Sequence, residues 1–135
     1  MTVTDETRQA LERQRTVDIT TTGRRSGQPR RMEIWRYQAS GRYWLTGSPG
    51  ARDWYANVLT HPKFTLHLAG LDVQVRGRPV TDPDERALVL GEIVPTLDWA
   101  GSLESWIAGS PLVEIEFDGC VHRSGVRLAR DGRVA

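Results

Sequence analysis

The sequence predicts a mainly β, α+β fold: an antiparallel β-barrel with peripheral helices. Three observations point that way. Short segments rich in β-branched and aromatic residues alternate apolar and polar side chains with period two. Tight-turn residues separate several consecutive segments, so neighbouring strands pair as hairpins. Helix-start signals fall between strands, which sets the helices at the periphery. About six strands result, and sequential antiparallel strands of this length tend to close into a small barrel.

Taken in order, residues 4–14 (TDETRQALERQ) combine helix formers with Thr4 as a cap. Few apolar positions tie them to a core, which predicts a loose N-terminal helix within residues 1–14. Thr16–Thr22 is β-branched and reads as a strand, with Val17 and Ile19 as its apolar positions. Residues 23–29 (GRRSGQP) form a turn punctuated by two glycines and a proline. Arg30–Gln38 alternates Met32, Ile34 and Arg36 against Glu33, Trp35 and Tyr37 and is the next strand. Ser40-Gly41 turns it into Arg42–Thr46, its antiparallel partner.

The loop Gly47–Gly50 feeds a short helix, ARDWYANVL, which ends before His61-Pro62 because proline disfavours a helical residue ahead of it. Lys63–Leu68 and Leu71–Val80 are two further strands around Ala69-Gly70. Asp82-Pro83-Asp84-Glu85 is a strong helix start, with an Asp cap and proline at the first position. That helix is expected to reach about Val94, and Leu97–Ala108 reads as a second, shorter one. Pro111–Phe117 alternates cleanly as a strand. Residues 118–135 read as an extra strand around Val121–Leu128 or as a tail.

A chain of 135 residues suits one domain, 1–135. Its hydrophobic share of 39% and charged share of 26% suit a packed core and argue against disorder. The net charge of +1 excludes a global polycation, and nucleic acid is not expected as a partner. The single cysteine, Cys120, rules out an intrachain disulfide and fits a reducing, cytoplasmic setting. The first ten residues lack an apolar core, so no secretory signal is expected, nor is stable membrane insertion. The histidines and Cys120 show no zinc spacing, and no metal is expected.

Three local features can carry chemistry. Arg24, Arg25, Arg30 and Arg31 surround one tight turn with no acid between them. Guanidinium pairs bidentately with phosphate and carboxylate, so the cluster suits a polyanion; ordinary solvated surface arginines are the equally good alternative. Gly47-Ser48-Pro49-Gly50 sits at a helix start, where backbone N–H groups and the dipole favour an anion, although most such loops are plain turns. Trp54 and Asn57 share a helix face, able to wall a planar ring and bond its edge, while composition alone makes Trp54 a core residue.

In combination, TTTGRRSGQPR (Thr20–Arg30), the GSPG loop and DWYANVLTHP (Asp53–Pro62) resemble the deazaflavin-dependent nitroreductase family, whose fold is a split β-barrel. The likeness is good over roughly residues 15–80. It implies binding of coenzyme F420, a deazaflavin with a phosphate and an acidic oligoglutamate tail. Cofactor contacts would come from Arg24, Arg25, Ser26, Arg30, Arg31, Met32, Glu33, Ile34 and Trp35 on the first hairpin. Thr46, Gly47, Ser48 and Pro49 would supply the loop, and Trp54, Tyr55, Ala56 and Asn57 the helix. Pro49 stands where relatives often carry Lys or Asn, and the aromatics near Leu97–Leu103 are Trp99 and Trp106 in place of tyrosines.

The resulting expectation is an F420-dependent oxidoreductase that passes a hydride from the deazaflavin to an electron-poor small molecule: a quinone, an enone or a nitroaromatic. Ser48 is the candidate for a hydrogen bond or proton relay at the acceptor. An FMN-binding flavin reductase on the same barrel is the alternative enzyme. A non-catalytic carrier of a lipid or haem is the alternative outside enzymes. A homodimer is among the possible assemblies.

Overall fold

A computed structural model describes the backbone of residues 5–123 and the side chains of residues 5–117. Six antiparallel strands close a barrel in the order β1-β2-β3-β6-β5-β4. They are β1 (Thr16–Thr22), β2 (Pro29–Ala39), β3 (Arg42–Thr46), β4 (Lys63–Leu68), β5 (Leu71–Pro79) and β6 (Leu112–Arg123). The helices are α1 (Asp5–Arg13), α2 (Asp53–Thr60), α3 (Pro83–Ile93) and α4 (Leu103–Gly109), with a 3-10 turn over Val94–Thr96. The mainly β barrel with peripheral helices is the fold the alternation predicts.

Hairpin pairing follows the turn signals. Ser40 and Gly41 both have positive φ, 52° and 71°, at the β2–β3 turn. Closure is uneven. The β1–β2 ladder runs from Thr16↔Trp35 to Thr22↔Pro29, whereas β3 meets β6 only from Trp44↔Glu114 to Thr46↔Leu112. Strand alternation sends Val17, Ile19, Leu66, Val73 and Val75 inward, and all are buried.

Two apolar clusters hold the molecule. The barrel interior joins those side chains to Ala10 and Leu11 of α1 and to Trp54 and Val58 of α2. The second cluster lies between the sheet and the C-terminal helices and includes Trp44, Val80, Leu90, Ile93, Trp106 and Leu112. Helix α2 sits close to the barrel because β5 carries Gly77. A Cβ at that position would lie 2.6 Å from Val58 Cγ1 and 2.9 Å from Val113 Cγ1.

Three local expectations are corrected. Helix α1 is not loose: Thr7, Ala10 and Leu11 are at most 1% exposed, so one apolar stripe suffices to seat it. The second C-terminal helix begins at Leu103, not Leu97, because Ser102 caps it through Ser105 N while Gly101 takes a φ of +80°. Strand β6 continues through residue 118 to Arg123, pairing with Leu71, so no new strand starts near Val121; residues 124–135 lie outside the described residues.

Candidate functional site

The turn between β1 and β2 is built by short-range bonds. Gly23 N donates to Gln28 O at 2.8 Å, Gly27 N donates to Gly23 O at 2.9 Å, and Gln28 N donates to Ser26 Oγ at 3.1 Å. A Cβ on Gly23 would meet Ser26 Oγ at 2.5 Å and Gln28 O at 3.3 Å, so a larger residue would displace the hydroxyl that accepts from Gln28 N.

Asn57, only 4% exposed, joins this turn to α2. Its Oδ1 accepts from Arg24 N at 3.0 Å and from Arg24 Nη1 at 3.1 Å. Its Nδ2 donates to Thr21 Oγ1 at 3.1 Å. Trp54, one helical turn earlier, is equally buried and belongs to the barrel core. Trp54 is thus a core residue, and its surface also lines the grooves described next.

The four arginines are not equivalent. Arg24 pairs with Asp53 at 3.3 Å, and Arg31 with Asp18 at 2.9 Å. Acids absent from the turn itself arrive from α2 and β1. Among the described residues, the side chains of Arg25 and Arg30 have no ion-pair or hydrogen-bond partner, and both residues are exposed. Arg25 and Arg30, with Arg24, Ser26, Met32, Trp54 and Asn57, line a cavity of about 370 Å³; Thr21, Gly23 and Asp53 complete it.

A second groove of about 460 Å³ neighbours the first, and Met32 and Trp54 line both. Glu33, Ile34, Trp35, Thr46, Gly47 and Ser48 line it, joined by Tyr37, Arg52 and Trp99. Three large apolar side chains are exposed here: Met32 at 37%, Trp35 at 47% and Trp99 at 56%. Burial removes water from the Tyr37 phenol and raises its pKa, so it stays protonated.

The Gly47–Gly50 loop is clamped from within. Arg52 Nη2 donates to Ser48 O at 2.9 Å and Nη1 donates to Ala51 O at 3.1 Å. Gly50 N donates to Gly109 O at 3.1 Å, so one backbone donor expected to face an anion is already committed. The Thr46 hydroxyl donates to Pro111 O and is buried. Ser48 is partly exposed and lines the groove, and its hydroxyl has no hydrogen-bond partner among the described residues.

The structure thus brings the hairpin, loop and α2 together, but four of the expected contacts lie outside both linings. Arg31 is held by Asp18 and lies in neither lining. Tyr55 packs edge-on against Trp54, with ring centroids 5.9 Å apart, and turns toward the core with no place in either lining. Ala56 and Pro49 line neither groove. Arg52 and Trp99 went unidentified as site residues in the sequence. The positive residue at the start of α2 was the available signal for Arg52; Trp99 comes from a loop distant in sequence.

A cleft of about 750 Å³ lies elsewhere, where β3 diverges from β6; Tyr43 and Phe117 lie in its lining, together with both acids and arginines. It contains none of the sequence-selected site residues. The two neighbouring grooves are the candidate site because the expected segments converge there. No His, Cys, Asp and Glu cluster able to hold a metal occurs among the described residues. No described helix is long and apolar enough to cross a membrane.

Solved structures share the fold at low identity. A conserved hypothetical protein of Mycobacterium tuberculosis is 15% identical, with a TM-score of 0.68, over 91% of this chain and 84% of its own. A FAD-binding protein of Mesorhizobium loti is 15% identical, with a TM-score of 0.62, over 88% of this chain and 92% of its own. The haem storage protein HutZ of Vibrio cholerae is 14% identical, with a TM-score of 0.65, over 91% of this chain and 95% of its own. The family model described as F420H(2)-dependent quinone reductase matches residues 2–99, and the chain belongs to that family of oxidoreductases.

Proposed function

We propose that the chain binds F420 along the two neighbouring grooves and passes its hydride to an electron-poor small molecule such as a quinone, an enone or a nitroaromatic. One observation carries this reading: unpaired Arg25 and Arg30 stand at one end, and exposed Met32, Trp35 and Trp99 line the other. That donor set fits a ligand with an anionic tail and a flat ring, which is what F420 offers. When bound, the deazaflavin supplies the hydride chemistry.

The chain's own residues supply binding and orientation. Arg25 and Arg30 attract the anionic tail, and Arg24 is left to brace the turn through Asn57. Arg52 fixes the carbonyl of Ser48, which holds the loop against the groove. Met32 and Trp54 line both grooves and exclude water from the ring end. The Ser48 hydroxyl donates a hydrogen bond to an oxygen of the acceptor in this proposal, since Ser48 lines the groove and its hydroxyl is not bonded within the described residues. An unactivated serine is a weak acid, so the net proton comes from solvent.

FMN is the rival ligand, since it offers a phosphate and a flat ring of similar kind and a FAD-binding protein shares the fold. A carrier role is the rival outside catalysis, favoured by the fold shared with a haem storage protein. Fluorescence titration of the pure chain with F420 and with FMN separates them. The expected result is tighter binding of F420, with a margin that narrows as salt rises. FMN binding as tight as F420 at low salt would overturn the proposal.

A further inference from the structure

We propose that Gly109, the last residue of α4, is a positioning residue for the Gly47–Gly50 loop, and that its missing side chain sets how that loop faces the cofactor groove. This rests on the proposal that the groove holds F420.

The C-terminal carbonyls of α4 have partners from outside the helix. Arg86, on α3 and only 9% exposed, supplies most of them. Its Nε donates to Ile107 O at 2.8 Å, and its Nη2 donates to Ser110 O at 2.6 Å and Trp106 O at 3.2 Å. Its Nη1 donates to Val80 O at 2.8 Å. No carboxylate pairs with Arg86 among the described residues; the carbonyl ends of α4 provide the negative potential that a buried cation needs. The end of α4 is therefore anchored to α3.

Gly109 O accepts from Gly50 N at 3.1 Å. Beside that bond, a Cβ on Gly109 would lie 3.3 Å from Pro49 Cβ and 4.0 Å from Pro49 Cα. Gly109 does not have a positive φ, so backbone freedom is not the reason for glycine there. The approach of Pro49 is. The loop is held by Gly109 at one end and by Arg52 on Ser48 O next to it. With those two anchors, a push on Pro49 moves Ser48, the adjacent residue that lines the groove. Interiors packed at crystal density transmit such small displacements.

The test is a double-mutant cycle on the full chain, read by F420 fluorescence titration and by thermal unfolding without ligand. Gly109→Ala is expected to weaken F420 binding about three- to ten-fold. Its unfolding temperature should hold or rise, because alanine favours a helix over glycine. Pro49→Gly removes the opposing Cβ, so adding Gly109→Ala to that background should cost no further affinity. Unchanged affinity in Gly109→Ala, or an equal loss in both backgrounds, overturns the positioning role. A wild-type chain that does not bind F420 would overturn the cofactor proposal itself, and this inference with it.

Discussion

The side-chain carbonyl of Asn57 accepts two hydrogen bonds from Arg24, one from its backbone N–H and one from its guanidinium. One amide on α2 thereby fixes both the path of the arginine turn and the direction of its first arginine. The remaining polar end of Asn57 binds Thr21, so most of its bonding capacity is used within the protein.

Asn57→Leu keeps the volume but leaves Arg24 N and the Thr21 hydroxyl without their partner. Losing buried hydrogen bonds costs about 1–3 kcal/mol, so the unfolding temperature should fall measurably. F420 affinity should fall as well, because the turn carrying Arg25 and Arg30 loses its brace. A folded variant with unchanged stability and unchanged affinity would show that α2 does not hold the turn.

Arg25 and Arg30 are the arginines left for an anion. The double replacement Arg25→Ala with Arg30→Ala should leave stability within about 0.5 kcal/mol, as expected of exposed positions. It should weaken F420 binding by less than about 1 kcal/mol per site if the contacts stay solvated. The deficit should shrink as salt is raised in the fluorescence titration. Affinity equal to wild type at low salt would reduce the pair to ordinary surface charge.

Trp99, 56% exposed, lines the second groove and is backed by Trp106, with ring centroids 5.8 Å apart at 52°. Trp99→Ala should raise KM for a menadione-like quinone about two- to ten-fold, the value of an aromatic contact. F420 affinity should fall as well, since Trp99 also lines the groove proposed for the ring, kcat should change little, and Trp99→Phe should recover most of both losses. A variant whose kinetics match wild type would place the acceptor elsewhere.

Arg78 grips Glu85 with both terminal nitrogens, at 3.0 and 2.6 Å, and reaches Glu114 with Nε at 2.8 Å. The guanidinium holds the Glu85 carboxyl below its ordinary value of 4.5. The folded protein thus binds that proton more weakly than the unfolded chain. The stabilisation is complete above the unfolded value and disappears as pH falls through the lowered folded one. Glu85→Gln should unfold at a lower temperature than wild type at neutral pH, with the gap closing in strong acid. A gap that stays constant from pH 7 into strong acid would exclude this pair as its source.

The strands were legible because their signals are local. Val17 and Ile19 alternate with polar neighbours, Ser40-Gly41 suits a positive-φ turn, and Asp82-Pro83 starts a helix whatever the rest of the chain does. The N-terminal helix misled because its burial depends on where the barrel presents an apolar surface. Three inward residues were enough to anchor it.

The sequence by itself determined the hairpins, the helix starts and the presence of an arginine-rich turn beside a small-residue loop. Each depends on residues adjacent along the chain. Only the tertiary structure decided that Asp18 and Asp53 take Arg31 and Arg24, leaving Arg25 and Arg30 unpaired among the described residues. It alone brought Trp99 to the groove and seated Pro49 against Gly109. These contacts join segments tens of residues apart, and no local pattern encodes which side chains meet until strand register and barrel closure fix their positions.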